Sequence, residues 1–226
     1  MTEKLKYFAL AKELNGTFHE LLIENKVHFR ASIKSFSLIS VSQEKPELGT
    51  PCKISKYKSE DKRKESVIED IEKIKMKPLP SPSLSKPEKE LQAWIINYSL
   101  NNNFELPFGN YTFLTSELAF PTEERKQGYV NDILAVDDKN TLIIIELKSS
   151  RTNKVKIQAI EYEEKVINKN IDFFHELVTL MLDVQWNGVT KKVSVWPYKA
   201  GNTKKQEHLE VEELNYTRVG NNYTFQ

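Results

Sequence analysis

The chain has 226 residues and balanced charge, with 33 Lys and Arg against 32 Asp and Glu, and 39% of its residues are hydrophobic. This composition is sufficient for the core of one large domain or of a small domain beside a larger one, and it gives no argument from overall charge for nucleic-acid binding. A single cysteine, Cys52, excludes intramolecular disulfides and Cys-rich zinc sites. No apolar run reaches the length of a signal peptide or a membrane span, so we expect a soluble, cytoplasmic protein without a membrane partner.

Residues 1–50 are predicted to form a small β-rich N-terminal domain. Segment 16–31 is typical of a hairpin that turns at residues 25 and 26, and residues 33–42 mostly alternate apolar and polar side chains, as a half-buried strand does. Two interpretations stay open for this region. It is either an accessory domain that contacts DNA or forms a homodimer, or an edge extension of a larger sheet.

Residues 51–86 are predicted to contain a charged helix followed by a linker. Apolar residues recur at helical spacing within residues 59–76, and four prolines in residues 78–87 favour an extended chain. Residues 1–87 carry 17 Lys and Arg against 12 Asp and Glu, whereas residues 88–226 carry 16 against 20. The helix is therefore interpreted either as a positive arm that contacts the phosphate backbone or as a solvated charged segment.

Residues 87–226 are predicted to form the main domain, an α/β structure. A helix over residues 85–101 has an apolar stripe that includes Leu91 and Ile95, and Ser85 with Glu88 forms a capping-box pattern at its start. Further elements are predicted in chain order: strands 112–120, 129–136 and 141–148, a helix containing Gln158, a helix 171–183, and strands 192–197, 209–214 and 216–225.

The hairpin formed by residues 129–148 carries the charged residues that need an explanation. Its second strand is almost entirely apolar, which predicts burial on both faces of a sheet, yet it ends in Glu146-Leu147-Lys148. Glu146 and Lys148 share one face because side chains alternate along a strand. A three-residue loop ending at Asn140, with Asn140 in the left-handed conformation, places Asp132 opposite Glu146.

Two opposed carboxylates on neighbouring strands repel each other unless a divalent cation lies between them. Directly opposite Cβ atoms are roughly 5 Å apart, and Mg²⁺ takes one or two carboxylates and completes its coordination with water and phosphate oxygens. The ammonium of Lys148, two residues beyond Glu146, is placed to stabilise an attacking water or a developing negative charge. The pattern therefore favours phosphodiester hydrolysis.

These residues resemble the signature of the PD-(D/E)xK nuclease superfamily, in which an acid is followed, after a hairpin, by (D/E)xK. Gln158 and Tyr162 are similar to the QxxxY element of the RecB-like branch, and residues 88–96 resemble the first helix of the same core. Asn131 departs from the proline of the family's proline-aspartate form but leaves Asp132 intact. The resemblance covers about residues 88–166 and leaves the first eighty residues unexplained.

The resemblance implies a restriction-endonuclease-like αβββαβ core with a mixed sheet, and a nuclease that hydrolyses DNA with Mg²⁺ or Mn²⁺. It implies that Asp132, Glu146 and the Leu147 carbonyl hold the metal, together with a glutamate of the first helix. Lys148 would orient or deprotonate the attacking water, and Gln158 and Tyr162 would position these groups.

Glu90 is selected as the upstream acid because Glu88 is assigned to the helix cap. Three basic residues that follow Lys148 are expected to contact backbone phosphates, with a solvated basic loop as the alternative: Arg151, Lys154 and Lys156.

Several functional alternatives stay open from the sequence. Endonuclease action is expected, in repair, restriction or the processing of phage or mobile elements, with or without a separate protein partner. An RNA-cleaving member of the family would use the same residues. A non-catalytic nucleic-acid-binding protein would keep the fold and use the acids only for pairing, and a protein-interaction module would show no metal dependence.

Overall fold

A computed structural model describes the backbone of residues 3–79, 87–150, 154–198 and 210–226, and the side chains of all of these except residues 154 and 155. Within these residues the architecture is mixed α/β, with a six-stranded mixed sheet, a three-stranded antiparallel sheet and a two-stranded ribbon. None of the described helices combines the length and apolar character needed to cross a membrane.

The helices are named in chain order: α1 Lys6–Thr17, α2 His19–Glu24, α3 Glu60–Lys75, α4 Pro87–Asn101, α5 Lys154–Tyr162 and α6 Ile171–Leu182. Short 3-10 helices cover Glu3–Leu5 and Ile54–Tyr57, and a π-helical turn, Glu163–Ile167, continues α5. The strands are named likewise: β1 Val27–Ala31, β2 Phe36–Ser40, β3 Gly49–Cys52, β4 Tyr111–Ser116, β5 Ala119–Phe120, β6 Tyr129–Val130, β7 Ile133–Asp137, β8 Leu142–Leu147, β9 Thr190–Pro197, β10 Val211–Val219 and β11 Asn222–Phe225.

The large sheet has the strand order β11-β10-β9-β8-β7-β4. Strand β7 is antiparallel to both β4 and β8, whereas β9 runs parallel to β8 and β10 runs parallel to β9. The predicted all-round burial of β8 is confirmed, because all six of its residues are buried. Leu142 and Ile144 pack into the hydrophobic core on one face of the sheet, and Ile143 and Ile145 pack into the core on the other, as strand alternation requires.

The prediction that residues 16–31 form a hairpin is wrong, because residues 19–24 form helix α2 and the N-terminal region begins with α1. The apolar residues of this region follow a spacing of three to four positions, and Leu14 and Leu22 are buried in the core. Burial of these helical faces outweighs the local strand preference of the segment. The strand predicted at 33–42 is present as β2, which pairs with β1 and β3.

Residues from the N-terminal region share a hydrophobic core with residues of the main domain. Phe8 of α1 packs edge to face against Phe173 of α6, with ring centroids 6.1 Å apart, and both belong to a core cluster that includes Leu134 of β7. The predicted helix at 59–76 is confirmed as α3, whose buried residues Val67 and Ile71 join the same cluster. Residues 80–86 of the linker predicted at 78–87 lie outside the described residues, and Pro87 begins α4. The chain on both sides of the linker contributes to one core.

Two predicted strands are each interrupted close to the charged hairpin. Residues 112–120 divide into β4 and β5 at Glu117, which has a positive φ of 51°, and residues 129–136 divide into β6 and β7 around Asp132. The backbone N–H of Glu117 donates a hydrogen bond to the Asp132 carbonyl at 3.1 Å. The two interruptions therefore lie side by side and leave Asp132 at the end of the sheet.

Candidate active site

The predicted turn and register of the β7–β8 hairpin are confirmed. Ile133 pairs with Ile145 and Val136 pairs with Leu142, so continuing the register by one residue places Asp132 opposite Glu146. The loop residue Asn140 has a φ of 62°, in the left-handed region, and its N–H donates a hydrogen bond to the Asp137 carbonyl at 3.0 Å. A loop of this length fixes the pairing, and the pairing brings the two acids onto one face.

Asp132 and Glu146 form a pair of carboxyl groups, in which Glu146 is buried and Asp132 is half-buried. The Asp132 Oδ2 atom accepts a hydrogen bond from the Leu147 backbone N–H at 2.7 Å. Glu146 is only 1% exposed, and among the described residues its Oε1 atom has no hydrogen-bond partner. Burial, followed by the charge of Asp132, raises the pKa of Glu146 well above its ordinary value. Burial also raises the pKa of Asp132, against the opposing effects of Lys148 and the Leu147 N–H.

Lys148 lies beside this pair of acids. Its Nζ atom lies 3.9 Å from Asp132 Oδ2 and 3.7 Å from Glu88 Oε2, and it donates a hydrogen bond to the Leu147 carbonyl at 2.9 Å. The positive charge of Lys148 acts to lower the pKa of both Asp132 and Glu146, but burial outweighs it for each acid. The Leu147 carbonyl, the ammonium and the acids thus converge at the end of β8.

Glu88 lies at the end of β8, whereas Glu90 lies away from it. This corrects the choice of Glu90 as the upstream acid. Glu88 Oε1 accepts hydrogen bonds from the backbone N–H and the hydroxyl of Ser149, each at 3.2 Å. Glu90 instead pairs with Arg218 Nη1 at 3.0 Å. Ser85, the proposed capping partner of Glu88, lies outside the described residues.

Three further residues support the site: Gln92, Lys89 and Glu117. The sequence indicated Glu117 either as a helper of the metal or substrate or as a surface or pairing residue, whereas Gln92 and Lys89 were not identified from it. Gln92 is 1% exposed, and its side-chain amide donates hydrogen bonds to the Asp132 carbonyl at 2.7 Å and to Glu117 Oε1 at 3.1 Å. Lys89 forms an ion pair with Glu117 and a second one, at 3.3 Å, with Glu47 of the N-terminal region. The available signal was the spacing of Glu88 and Gln92, which at four residues apart share one helix face.

The two residues of the QxxxY element differ in burial. Tyr162 is 1% exposed, and its hydroxyl donates a hydrogen bond to the Leu118 carbonyl at 3.1 Å. Burial, followed by the charge of Glu146, raises the pKa of Tyr162 well above its ordinary value. Gln158 is exposed on the preceding turn of α5. Tyr162 thus anchors α5 beside the acids, whereas Gln158 is open to solvent.

The predicted phosphate contact of Lys156 is corrected by its surroundings. Lys156 is 2% exposed, its Nζ atom lies 2.5 Å from Glu213 Oε1, and it lies over the ring of Trp196 at 5.8 Å from the centroid. A buried, paired ammonium is not available to a phosphate without breaking that pair. Arg151 and the side chain of Lys154 lie outside the described residues.

The residues at the end of β8 fit a hard divalent cation with few protein ligands. Within the described parts of the chain, no group of three or more His, Cys, Asp or Glu side chains is arranged to hold a metal. Mg²⁺, however, commonly uses one or two carboxylates and keeps several waters. The buried Glu146 oxygen, which has no partner in the described part of the chain, and the adjacent Asp132 carboxyl are oxygen donors of the kind that such an ion takes.

Comparisons of this chain with models of protein families, with curated protein sequences and with solved structures found no match. The function is therefore inferred from the geometry of the site and from the motifs that it contains.

Proposed function

We propose that this chain is a metal-dependent nuclease that hydrolyses phosphodiester bonds of DNA. The observation that carries the proposal is the meeting of three groups at the end of β8. The hairpin register opposes Asp132 and Glu146, and the Lys148 ammonium lies 3.9 Å from Asp132. An acid pair with an adjacent cation, in a partly water-excluded place, is suited to binding a metal and a phosphate together.

The order of the elements supports a restriction-endonuclease-like core. In chain order α4, β4, β7, β8, α5 and β9 follow an αβββαβ sequence, with an antiparallel β4–β7–β8 unit and β9 parallel to β8. This is the order that the resemblance implies. The proposed acids lie on β8 and just before β7, where that core would carry them.

Asp132, Glu146 and the Leu147 carbonyl are the groups that would hold Mg²⁺ or Mn²⁺, with Glu88 in place of Glu90 as the acid from the first helix. When bound, such an ion supplies Lewis-acid polarisation of a phosphoryl oxygen. The protein itself would hold the acids in position before the ion binds. Gln92 and the Leu147 N–H restrain the Asp132 backbone and carboxylate, so the acids need little rearrangement.

Lys148 would act on the attacking water and on the charge that develops at phosphorus. Its Nζ atom hydrogen-bonds the Leu147 carbonyl and faces both Asp132 and Glu88. Held there, the ammonium can stabilise a phosphate oxygen, or it can orient water and accept its proton after losing its own. Gln158, which is exposed on α5, is proposed to help position the water and Lys148.

The test is incubation of the pure chain with single-stranded, duplex and branched DNA and with RNA, in Mg²⁺, Mn²⁺ or EDTA. Lys148→Ala is compared with Lys139→Ala, which removes an exposed lysine from the turn of the same hairpin. We expect metal-dependent DNA cleavage that is lost in Lys148→Ala and retained in Lys139→Ala.

Cleavage of RNA and not of DNA would show that the substrate is RNA. Full activity of the Lys148→Ala variant would contradict the mechanism. DNA binding without cleavage in any metal would favour a non-catalytic nucleic-acid-binding protein.

A further inference from the structure

A cavity of about 200 Å³ lies between α1, β1, β4 and the C-terminal end of α6. Its lining contains none of the residues at the end of β8. Most of the lining is aromatic or aliphatic, and it includes Phe8, Phe29, Phe104 and Phe113. The cavity therefore joins the N-terminal region to the main sheet at a place that the proposed nuclease chemistry does not use.

His28 of β1 is a polar group that lines this cavity and also a smaller neighbouring one. It is 4% exposed, and its Nε2 atom has no hydrogen-bond partner among the described residues. Burial lowers the pKa of His28 to about 3, so the imidazole is neutral at physiological pH. A neutral imidazole nitrogen is either a hydrogen-bond donor or an acceptor, and leaving it unpaired in an apolar place costs free energy.

The cationic side chains that line the cavity are already engaged by the protein. Lys12 donates hydrogen bonds to the Leu180 carbonyl at 2.8 Å and to Asp183 Oδ2 at 2.9 Å. Arg30 forms an ion pair with Glu47 at 3.3 Å. A charged ligand would have to compete with these pairs or lose its hydration without compensation, so the lining favours a neutral molecule.

The size and lining of the cavity favour an aromatic ring. An apolar cavity of about 150 Å³ is sufficient for benzene, so this one has room for a substituted ring. Phe8, Phe29, Phe104 and Phe113 offer ring faces and edges, which pack well against another planar ring. Phe104, which lines the cavity, is 37% exposed, so the lining reaches the surface of the protein at this residue.

We propose that this cavity is a binding site for a small, neutral aromatic molecule that carries one hydrogen-bonding group, which pairs with Nε2 of His28. The phenyl rings supply apolar contact, and the histidine selects molecules with a polar group at one edge. This site is independent of the proposed nuclease function, because its lining and the acid pair share no residue.

The test uses p-cresol and p-xylene. The two compounds have nearly the same shape, but p-cresol carries a hydroxyl group where p-xylene carries a second methyl group. The phenolic hydroxyl both donates and accepts, so it can pair with either tautomer of His28. Each compound is titrated into the full chain while amide chemical shifts are followed by NMR. His28→Leu removes the polar atoms at similar volume, and His19→Leu is the control, because His19 lies outside this cavity and lines a smaller neighbouring one.

We expect saturable shifts around the cavity, with p-cresol binding about tenfold more tightly than p-xylene, as one hydrogen bond provides. His28→Leu should reduce that ratio to one or below, because the phenolic hydroxyl then enters an apolar place without a partner, and His19→Leu should preserve it. No saturable binding of either compound to the unmodified chain would overturn the proposal, and so would an unchanged ratio in His28→Leu.

If His28→Leu does not fold, substitution of Gly16 tests the same proposal. Gly16 lines the cavity on an exposed part of α1, and a Cβ placed there meets no atom within 4 Å. We expect Gly16→Leu to weaken binding of both compounds by obstructing the cavity, whereas Gly16→Ala should not. Equal affinity of all three proteins for both compounds would contradict binding in this cavity.

Discussion

The Glu88 carboxylate accepts hydrogen bonds from both the backbone N–H and the hydroxyl of Ser149, each at 3.2 Å. Through this contact the first turn of α4 is joined to the chain that leaves β8. The same carboxylate lies 3.7 Å from the Lys148 ammonium. Glu88 therefore holds the end of β8, and with it the lysine, in place.

Exchanging the two glutamates of α4 for glutamine is expected to separate their roles. Glu88→Gln should lower the cleavage kcat/KM of the proposed nuclease by about 10- to 100-fold, because Glu88 holds Ser149, lies beside Lys148 and is proposed to help hold the metal. Glu90→Gln should leave kcat/KM unchanged, because Glu90 pairs with Arg218 on a partly exposed surface. The measurement is initial cleavage rates over a range of Mg²⁺ concentrations. A loss confined to Glu90→Gln would restore Glu90 as the upstream acid.

Removing the charge of Glu146 is expected to stabilise the metal-free protein at neutral and alkaline pH. The folded-state pKa of Glu146 is raised above its ordinary 4.5, so its ionisation opposes folding as pH rises from that value through the raised pKa. Glu146→Gln should therefore raise the free energy of unfolding at pH 8 by about 1 to 3 kcal/mol and leave it little changed at pH 4.

This pH dependence is measured by urea denaturation in EDTA between pH 4 and pH 8. Glu123→Gln, an exposed substitution in the loop before β6, provides the control and should show no such difference. A Glu146→Gln variant less stable than the unmodified chain at pH 8 would show that the carboxylate is favourably paired in the folded state.

Divalent cations are expected to stabilise the unmodified chain through the same two acids. At a metal concentration of 100 times Kd, binding to the folded state alone contributes about 2.7 kcal/mol, which corresponds to a rise in Tm of several degrees. Mg²⁺ or Mn²⁺ should raise Tm in the unmodified chain and leave Tm unchanged in Asp132→Asn and Glu146→Gln. Calorimetric scans with Mg²⁺, Mn²⁺ or EDTA provide the comparison, and an equal rise in all three proteins would place the metal elsewhere.

Lys156→Met is expected to destabilise the fold without changing the salt dependence of DNA binding. The substitution leaves Glu213, whose side chain is 23% exposed, without its 2.5 Å partner. Because Glu213 keeps some contact with water, the expected loss is about 1 to 3 kcal/mol, below the range for a fully buried pair. Loss of a phosphate contact would reduce the slope of log K against log salt by about 0.9. Such a reduction in Lys156→Met would restore Lys156 as a phosphate-binding residue.

Asn140 is expected to tolerate glycine but not a β-branched residue. Its φ of 62° is accessible to asparagine and glycine, whereas valine is strained there. Asn140→Val should lower the free energy of unfolding by about 1 to 2 kcal/mol and reduce cleavage, because the strain loosens the register that opposes Asp132 and Glu146. Asn140→Gly is the matched control, and equal stability of both variants would mean that the turn does not depend on this conformation.

The sequence alone determined the hairpin that carries the acids. Turn length, the left-handed preference of asparagine and the two-residue period of strands are local properties, and together they place Asp132 opposite Glu146. The helical spacing of Val67 and Ile71 identified α3 by the same kind of local rule. These features need no knowledge of distant parts of the chain.

Only the tertiary structure decided which groups meet these acids. Glu88 and Glu90 lie two residues apart on one helix, and the choice between them depends on how α4 rotates against the sheet. Lys156 is buried because Glu213, 57 positions further along the chain, pairs with it across the fold. The segment that forms α2 is helical because a core shared with distant residues covers its apolar face. Such contacts depend on the packing of whole elements, and a local sequence pattern does not contain that information.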